Sequence, residues 1–122
     1  MNNIFGIMQG RLLPKYQGRY QAHPLGYWQD EFFQAKEIGL DCIEFILDFN
    51  DFNSNPLLTK GGRLEILELS RDTGVIVKTI CADYFMEAPL HSSEQSVANK
   101  SYKVLQKLVD TAVEINITDI VI

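Results

Sequence analysis

The residues of this chain that could do chemistry are polar groups set inside, or just after, short apolar runs. Glu44 lies within Cys42-Ile43-Glu44-Phe45-Ile46-Leu47, where alternation puts Ile43, Phe45 and Leu47 on one face and Cys42, Glu44, Ile46 and Asp48 on the other. The first face is wholly apolar and packs on helices, so Glu44 points to the opposite side of a sheet. A desolvated carboxylate there needs a ligand, a metal or a cation. A structural bond to a neighbouring strand or to Arg11 meets the same need, and both readings stand. Gln9, Arg11, Lys15, Arg19 and His23 follow the first apolar run, Asp48 and Asp51 the second, and Asp83, Tyr84, Glu87 and His91 the third. Arg11, two residues past Gln9, is placed to donate bidentately to an anionic substrate. Lys15 and Arg19 read as solvated loop charges.

Other patterns carry less. Asp48-Phe49-Asn50-Asp51-Phe52-Asn53 has Asn53 at the glycine position of a calcium loop and Thr59 where the bidentate glutamate belongs, so it is rejected as one. Gly61-Gly62, flanked by Lys60 and Arg63, offers backbone N–H groups to a phosphate, but without a Walker pattern it reads as a flexible lead into a helix. Neither GxGxxG nor GxSxG occurs. His23 and His91 lack metal-motif spacing and read as surface histidines. Tyr84, Phe85 and Met86 wall a pocket or pack a loop. Cys42 and Cys81 each sit in a strand-like run and read as reduced core thiols. Lys78 is expected to bury its stem and snorkel.

The elements that must position these residues follow from hydrophobic period. Ile4–Met8, Cys42–Leu47, Val75–Cys81 and Asp119–Ile122 read as strands. A long loop over residues 9–27 holds Gly10, Pro14, Gly18, Pro24 and Gly26; connections of that length are usually functional or disordered. Trp28, Phe32, Ala35 and Ile38 define a helix stopped by Gly39, and Leu64–Thr73 a second stopped by Gly74. The longest helix follows Ser92 and Gln95, at capping-box spacing, with a stripe through Val97, Val104, Leu105, Leu108, Ala112 and Ile115. The order β-α-β-α-β-α-β predicts an α/β protein with a parallel sheet. A (β/α)8 TIM barrel takes about 250 residues, so residues 1–122 are expected to be a single partial barrel domain, the N-terminal half, truncated at its fourth strand. The loops after strands one to three leave from one C-terminal face, where their polar residues converge.

Composition sets the remaining bounds. Net charge is 11 − 16 = −5, which argues against a general nucleic-acid binder. Residues 1–29 hold Arg11, Lys15 and Arg19 and no acid, +3, while the remainder carries 8 − 16 = −8. No apolar run reaches the ~18 residues of a membrane span, and the Met1-Asn2-Asn3-Ile4 start lacks a signal-peptide pattern, so the expected location is the cytoplasm.

Several short blocks in order, Ile7-Met8-Gln9-Gly10-Arg11-Leu12, Gln21-Ala22-His23-Pro24 with Trp28 and Glu31-Phe32, Ile43-Glu44 with Asp48, and Cys81-Ala82-Asp83-Tyr84-Phe85-Met86 with Pro89-Leu90, resemble the N-terminal half of sugar phosphate isomerases/epimerases. These belong to the xylose isomerase-like TIM barrels, and the resemblance covers essentially the whole chain. It implies metal-assisted 1,2-isomerisation or 3-epimerisation of a ketose or its phosphate, with Mn²⁺, Mg²⁺, Co²⁺ or Zn²⁺ as Lewis acid. It also implies that the metal ligands and proton-transfer glutamates come from later strands, so that this chain alone holds no metal and is inactive. Gln9, Arg11, Glu44, Cys81 and Asp83 are then substrate-binding residues at the mouth. Two alternatives remain: a non-catalytic half-barrel that forms a homodimer across its exposed strand edge, and an AP-endonuclease-like DNA repair protein. The latter is disfavoured by the acidic balance and by Cys81 at a position where that branch has a metal-binding histidine.

Overall fold

The structure, a computed structural model, describes residues 3–122. Met1 and Asn2, part of the start that lacks a signal-peptide pattern, lie outside the described residues. Strands β1 (Gly6–Met8), β2 (Cys42–Ile46), β3 (Ile76–Cys81) and β4 (Asp119–Val121) alternate with helices α1 (Asp30–Glu37), α2 (Lys60–Thr73), α3 (Tyr84–Glu87) and α4 (Gln95–Ile115). Every neighbouring pair is parallel and the order across the sheet is β1-β2-β3-β4. The chain is thus a succession of βα units, an architecture consistent with the N-terminal half of an α/β barrel.

The alternation of β2 sets the layers. Ile43, Phe45 and Leu47 are buried against Trp28, Phe32 and Ala35, Ile66 of α2, and Val104, Leu108 and Ile115 of α4. Each large side chain so buried contributes about 1.5–3 kcal/mol. The register slips between Ile43 and Glu44, which pair with Val77 and Thr79, so Lys78 lies at a bulge. The slip lets Val77 and Ile80, three residues apart, both join the core, while Thr79 and Cys81 share the inner face with Glu44 and Ile46.

Several boundaries differ from the sequence expectation. The first strand is shorter, beginning at Gly6, and α1 begins at Asp30; Trp28 lies in the preceding turn but still enters the core. Helix α2 begins at Lys60 rather than Leu64, because Thr59 Oγ1 accepts the Gly62 N–H at 3.0 Å and caps it. Gly61 and Gly62 are therefore helical, and Gly62 packs where a Cβ would collide with Pro56. The expected capping box at α4 does not form: Ser92 Oγ accepts the Glu94 N–H, and the helix starts without a side-chain cap. A single helical turn, α3, interrupts what reads as loop. Among the described residues no helix is long and apolar enough to cross a membrane.

Candidate functional site

The first residues beyond β1 build the mouth from beneath. Gln9 is buried, and its side-chain oxygen accepts the Ile46 N–H at 2.9 Å. That bond fixes which end of the amide is oxygen, so His23 Nδ1, 3.2 Å from the same oxygen, must be the protonated ring nitrogen. His23 Nε2 is then an acceptor, buried without a partner among the described residues. The ring packs beside Phe45 and Trp28, at centroid separations of 5.3 and 6.2 Å. Burial pulls the His23 pKa down to about 4. The expectation of a surface histidine is therefore corrected for His23, whose ring is needed to fill the space under the long loop; His91 is exposed.

Gly10 turns the chain with φ +95°, pressed against the Tyr20 carbonyl, a conformation and an approach that exclude a Cβ. Its N–H donates to both carboxylate oxygens of Glu31, at 2.8 and 2.9 Å, and the Leu12 N–H donates to Glu31 Oε2 at 3.0 Å. Glu31 is completely buried. Burial raises its pKa, opposed by the Gly10 and Leu12 amides and by the charge of Arg11.

Above this floor the loops after β1, β2 and β3 meet. Arg11 Nη2 donates to Gln21 Oε1 at 3.2 Å, and Gln21 Nε2 donates to Asp83 Oδ2 at 3.1 Å. Cys81 Sγ donates to Asp83 Oδ1 at 3.3 Å. Asp48 accepts the His23 backbone N–H at 2.8 Å and lies 4.0 Å from the Arg19 guanidinium. Burial raises the Asp48 pKa most, and Asp83 adds to the rise. A cavity of about 320 Å³ opens here, lined by Arg19, Asp48, Phe49, Asn50, Asp83, Met86 and Glu87. Its volume is within the range of small-molecule sites.

Of the five residues singled out for substrate, Arg11, Cys81 and Asp83 come together in one bonded group. Glu44 sits lower on the inner face, accepting from Thr79 Oγ1 at 2.9 Å, in a separate open groove with Met8 and Cys42. The bond from Thr79 matches the structural reading of Glu44, with Thr79 rather than Arg11 as partner. Gln9 lies under the loops, holding Ile46 and His23. Burial, with the bond and charge of Asp83, pushes the Cys81 thiol up to about 12, so it remains a thiol. Both cysteines are free.

Lys15 rests over the Tyr20 ring, 5.0 Å from its centroid. Tyr84 and Phe85 are core residues, the Tyr84 ring packing against those of Phe49, Phe52 and Phe85, and only Met86 and Glu87 of that segment line the cavity. Among the described residues no three His, Cys, Asp or Glu side chains are grouped to hold a metal ion. Neither Glu31 nor Gln21 has a role that residue spacing assigns. Glu31 did carry a signal: it lies four residues before buried Ala35 and beside Phe32, so a carboxylate occupies the core face of a helix and must find donors.

The chain is thus an α/β protein whose parallel sheet carries a polar cavity at the carboxyl ends of its strands, where ligands of such folds bind. No family model matches the chain. It is 27% identical over 94 residues to a putative L-ribulose-5-phosphate 3-epimerase SgbU of Haemophilus influenzae, covering 76% of this chain and 33% of that protein. It is 27% identical over 99 residues to the L-ribulose-5-phosphate 3-epimerase UlaE of Salmonella heidelberg and 26% identical to that of Escherichia coli, in each case 80% of this chain and 35% of the relative. The chain thus spans about a third of the length of the curated relatives it matches. Their class, sugar-phosphate epimerases, agrees with the resemblance carried by the sequence blocks.

Proposed function

We propose that these residues form part of the substrate mouth of a sugar or sugar-phosphate isomerase/epimerase, with L-ribulose 5-phosphate the first candidate ligand. The observation that carries this reading is the bonded path Arg11–Gln21–Asp83, which joins the loops after β1 and β3 across the mouth. Arg19 in the cavity wall, and Arg11, joined to Asp83 through Gln21, supply cationic donors. Asp48, Asp83, Glu87 and Asn50 supply hydroxyl acceptors and an amide, and Phe49 and Met86 supply an apolar wall. The relatives' printed activity supports the substrate class.

Isomerisation or epimerisation of a ketose moves a proton at a carbon next to the carbonyl. In this reading the proton-transfer groups lie outside these 122 residues, as does a site for Mn²⁺, Mg²⁺, Co²⁺ or Zn²⁺, and the residues present bind and orient the sugar. In this reading the protein acts in the cytoplasm.

The test is to incubate the 122-residue chain with L-ribulose 5-phosphate and Mn²⁺, following binding by calorimetry and product by chromatography. Saturable binding without turnover is expected. Turnover by this chain overturns the placement of the chemistry, and no binding at millimolar ligand overturns the substrate reading.

A second reading rests on a different observation. β4 is an outer strand, with Val121 and Ile122 exposed, and α4 exposes Tyr102, Val109 and Val113. These surfaces favour a homodimer that covers the open edge. Sedimentation as a monomer at all concentrations removes that reading.

A further inference from the structure

The chain has four arginines, and three of them lie against acids: Arg19 at 4.0 Å from Asp48, Arg63 at 2.8 Å from Glu114 and Arg71 at 3.5 Å from Asp72. Among the described residues Arg11 has no such pair. Its one side-chain bond is to the neutral amide oxygen of Gln21, whose other end takes Asp83, so Gln21 acts as a spacer between cation and carboxylate. The Arg11 side chain is exposed, yet its backbone is firmly held. Glu31, completely buried, receives three N–H bonds of 2.8–3.0 Å from Gly10 and Leu12, the residues on either side of Arg11. Charge-assisted bonds of this kind are short and strong. The Arg11 N–H closes the turn onto Met8 O at 3.4 Å, and Gly10 is wedged against the Tyr20 carbonyl.

A fixed Cα carrying a guanidinium without an acid partner is the arrangement an anion site requires, because the cost of ordering the backbone is met before the ligand arrives. We propose that Glu31 is a positioning residue that holds Arg11 in place as the group that reads an anionic substituent, a phosphate or carboxylate, on the ligand of this mouth. Glu31 itself does not touch the ligand. Its carboxylate acts through the Gly10 and Leu12 amides, which tie the loop to the first turn of α1. The proposal deepens the sugar-phosphate reading and rests on it for the identity of the ligand, though not for the anion chemistry.

The test titrates inorganic phosphate, at constant ionic strength, into the ¹⁵N-labelled 122-residue chain. Phosphate is expected to shift the Gly10, Arg11 and Leu12 amides and the Arg11 Nε–H signal, and Arg11→Ala to abolish the response. Glu31→Gln places an NH₂ group against amide donors and is expected to weaken phosphate binding about tenfold or more, the scale of a charged hydrogen bond. Thr111→Val, which removes a buried bond to the Leu57 carbonyl remote from the mouth, serves as a stability control and is expected to leave phosphate affinity unchanged. Equal losses in Glu31→Gln and Thr111→Val, or shifts centred away from Arg11, overturn the proposal. Should Glu31→Gln not fold, Glu31→Asp, whose carboxylate is one methylene short, goes through the same comparison and must show the same ordering. Phosphate held at Arg11 without any response to the sugar phosphate removes the substrate reading alone. A sugar phosphate bound equally well by Arg11→Ala removes this proposal alone.

Discussion

Glu31 and Arg11 are coupled through the backbone: the carboxylate of one accepts the N–H groups on both sides of the other. The turn between them depends on a residue without a side chain. Gly10 holds φ +95° with the Tyr20 carbonyl in the direction a Cβ would take. Gly10→Ala is expected to destabilise the chain by roughly 1–3 kcal/mol, the cost of a strained backbone conformation. Urea denaturation measures this, and an unchanged midpoint contradicts the tight turn.

Gln9 supports the end of β2 from the first loop. Gln9→Leu keeps the volume but leaves the Ile46 N–H and His23 Nδ1 without their acceptor. A loss of about 1–3 kcal/mol is expected from the unpaired groups. A variant as stable as the parent would show that the amide is dispensable.

The sheet, its order and its helix-facing side were legible in the sequence because burial on both layers enforces period. Ile43, Phe45 and Leu47 alternate into the core, and Val104, Leu108 and Ile115 recur at helical spacing. The mouth was only partly legible. Arg11, Cys81 and Asp83 follow strand ends, which places them on one face, but Gln21 lies in a long loop without period, and no local pattern pairs it with Asp83, 62 residues away. His23 misleads for the same reason: its loop folds back under the mouth, and the ring is covered by Phe45 and Trp28 from distant elements. The bulge at Lys78 is likewise set by the partner strand.

His23 makes stability depend on pH. Its folded pKa, about 4, lies below the ordinary 6.5, so the unfolded chain binds more protons between these values. The His23 contribution is therefore complete above pH 6.5 and is lost as pH falls toward 4, on the order of 3 kcal/mol in all. Glu31 and Asp48, raised by burial, act in the opposite sense, with stability lost as pH rises through their folded pKa values. The comparison is therefore with His23→Phe, which retains both acids. Parent stability should fall relative to that variant between pH 6.5 and 4, and parallel curves contradict a neutral buried imidazole.

Cys81 is predicted to resist alkylation. Its thiol, pushed up to about 12 and buried, offers almost no thiolate near neutral pH. Iodoacetamide at pH 7.5 should modify it only after denaturation, as read by peptide mass. Rapid stoichiometric labelling of the native chain would contradict both its burial and its protonation.

The proposed function requires the three loops to form one ligand mouth. The most direct measurement is a ¹⁵N–¹H titration of the 122-residue chain with a sugar phosphate, mapped residue by residue. Saturable shifts are predicted together at Gly10–Leu12, Gln21, Asp48–Asn50 and Asp83–Glu87, with α4 unaffected. Shifts confined to α4 or to the amino ends of the strands, or none at all, contradict it.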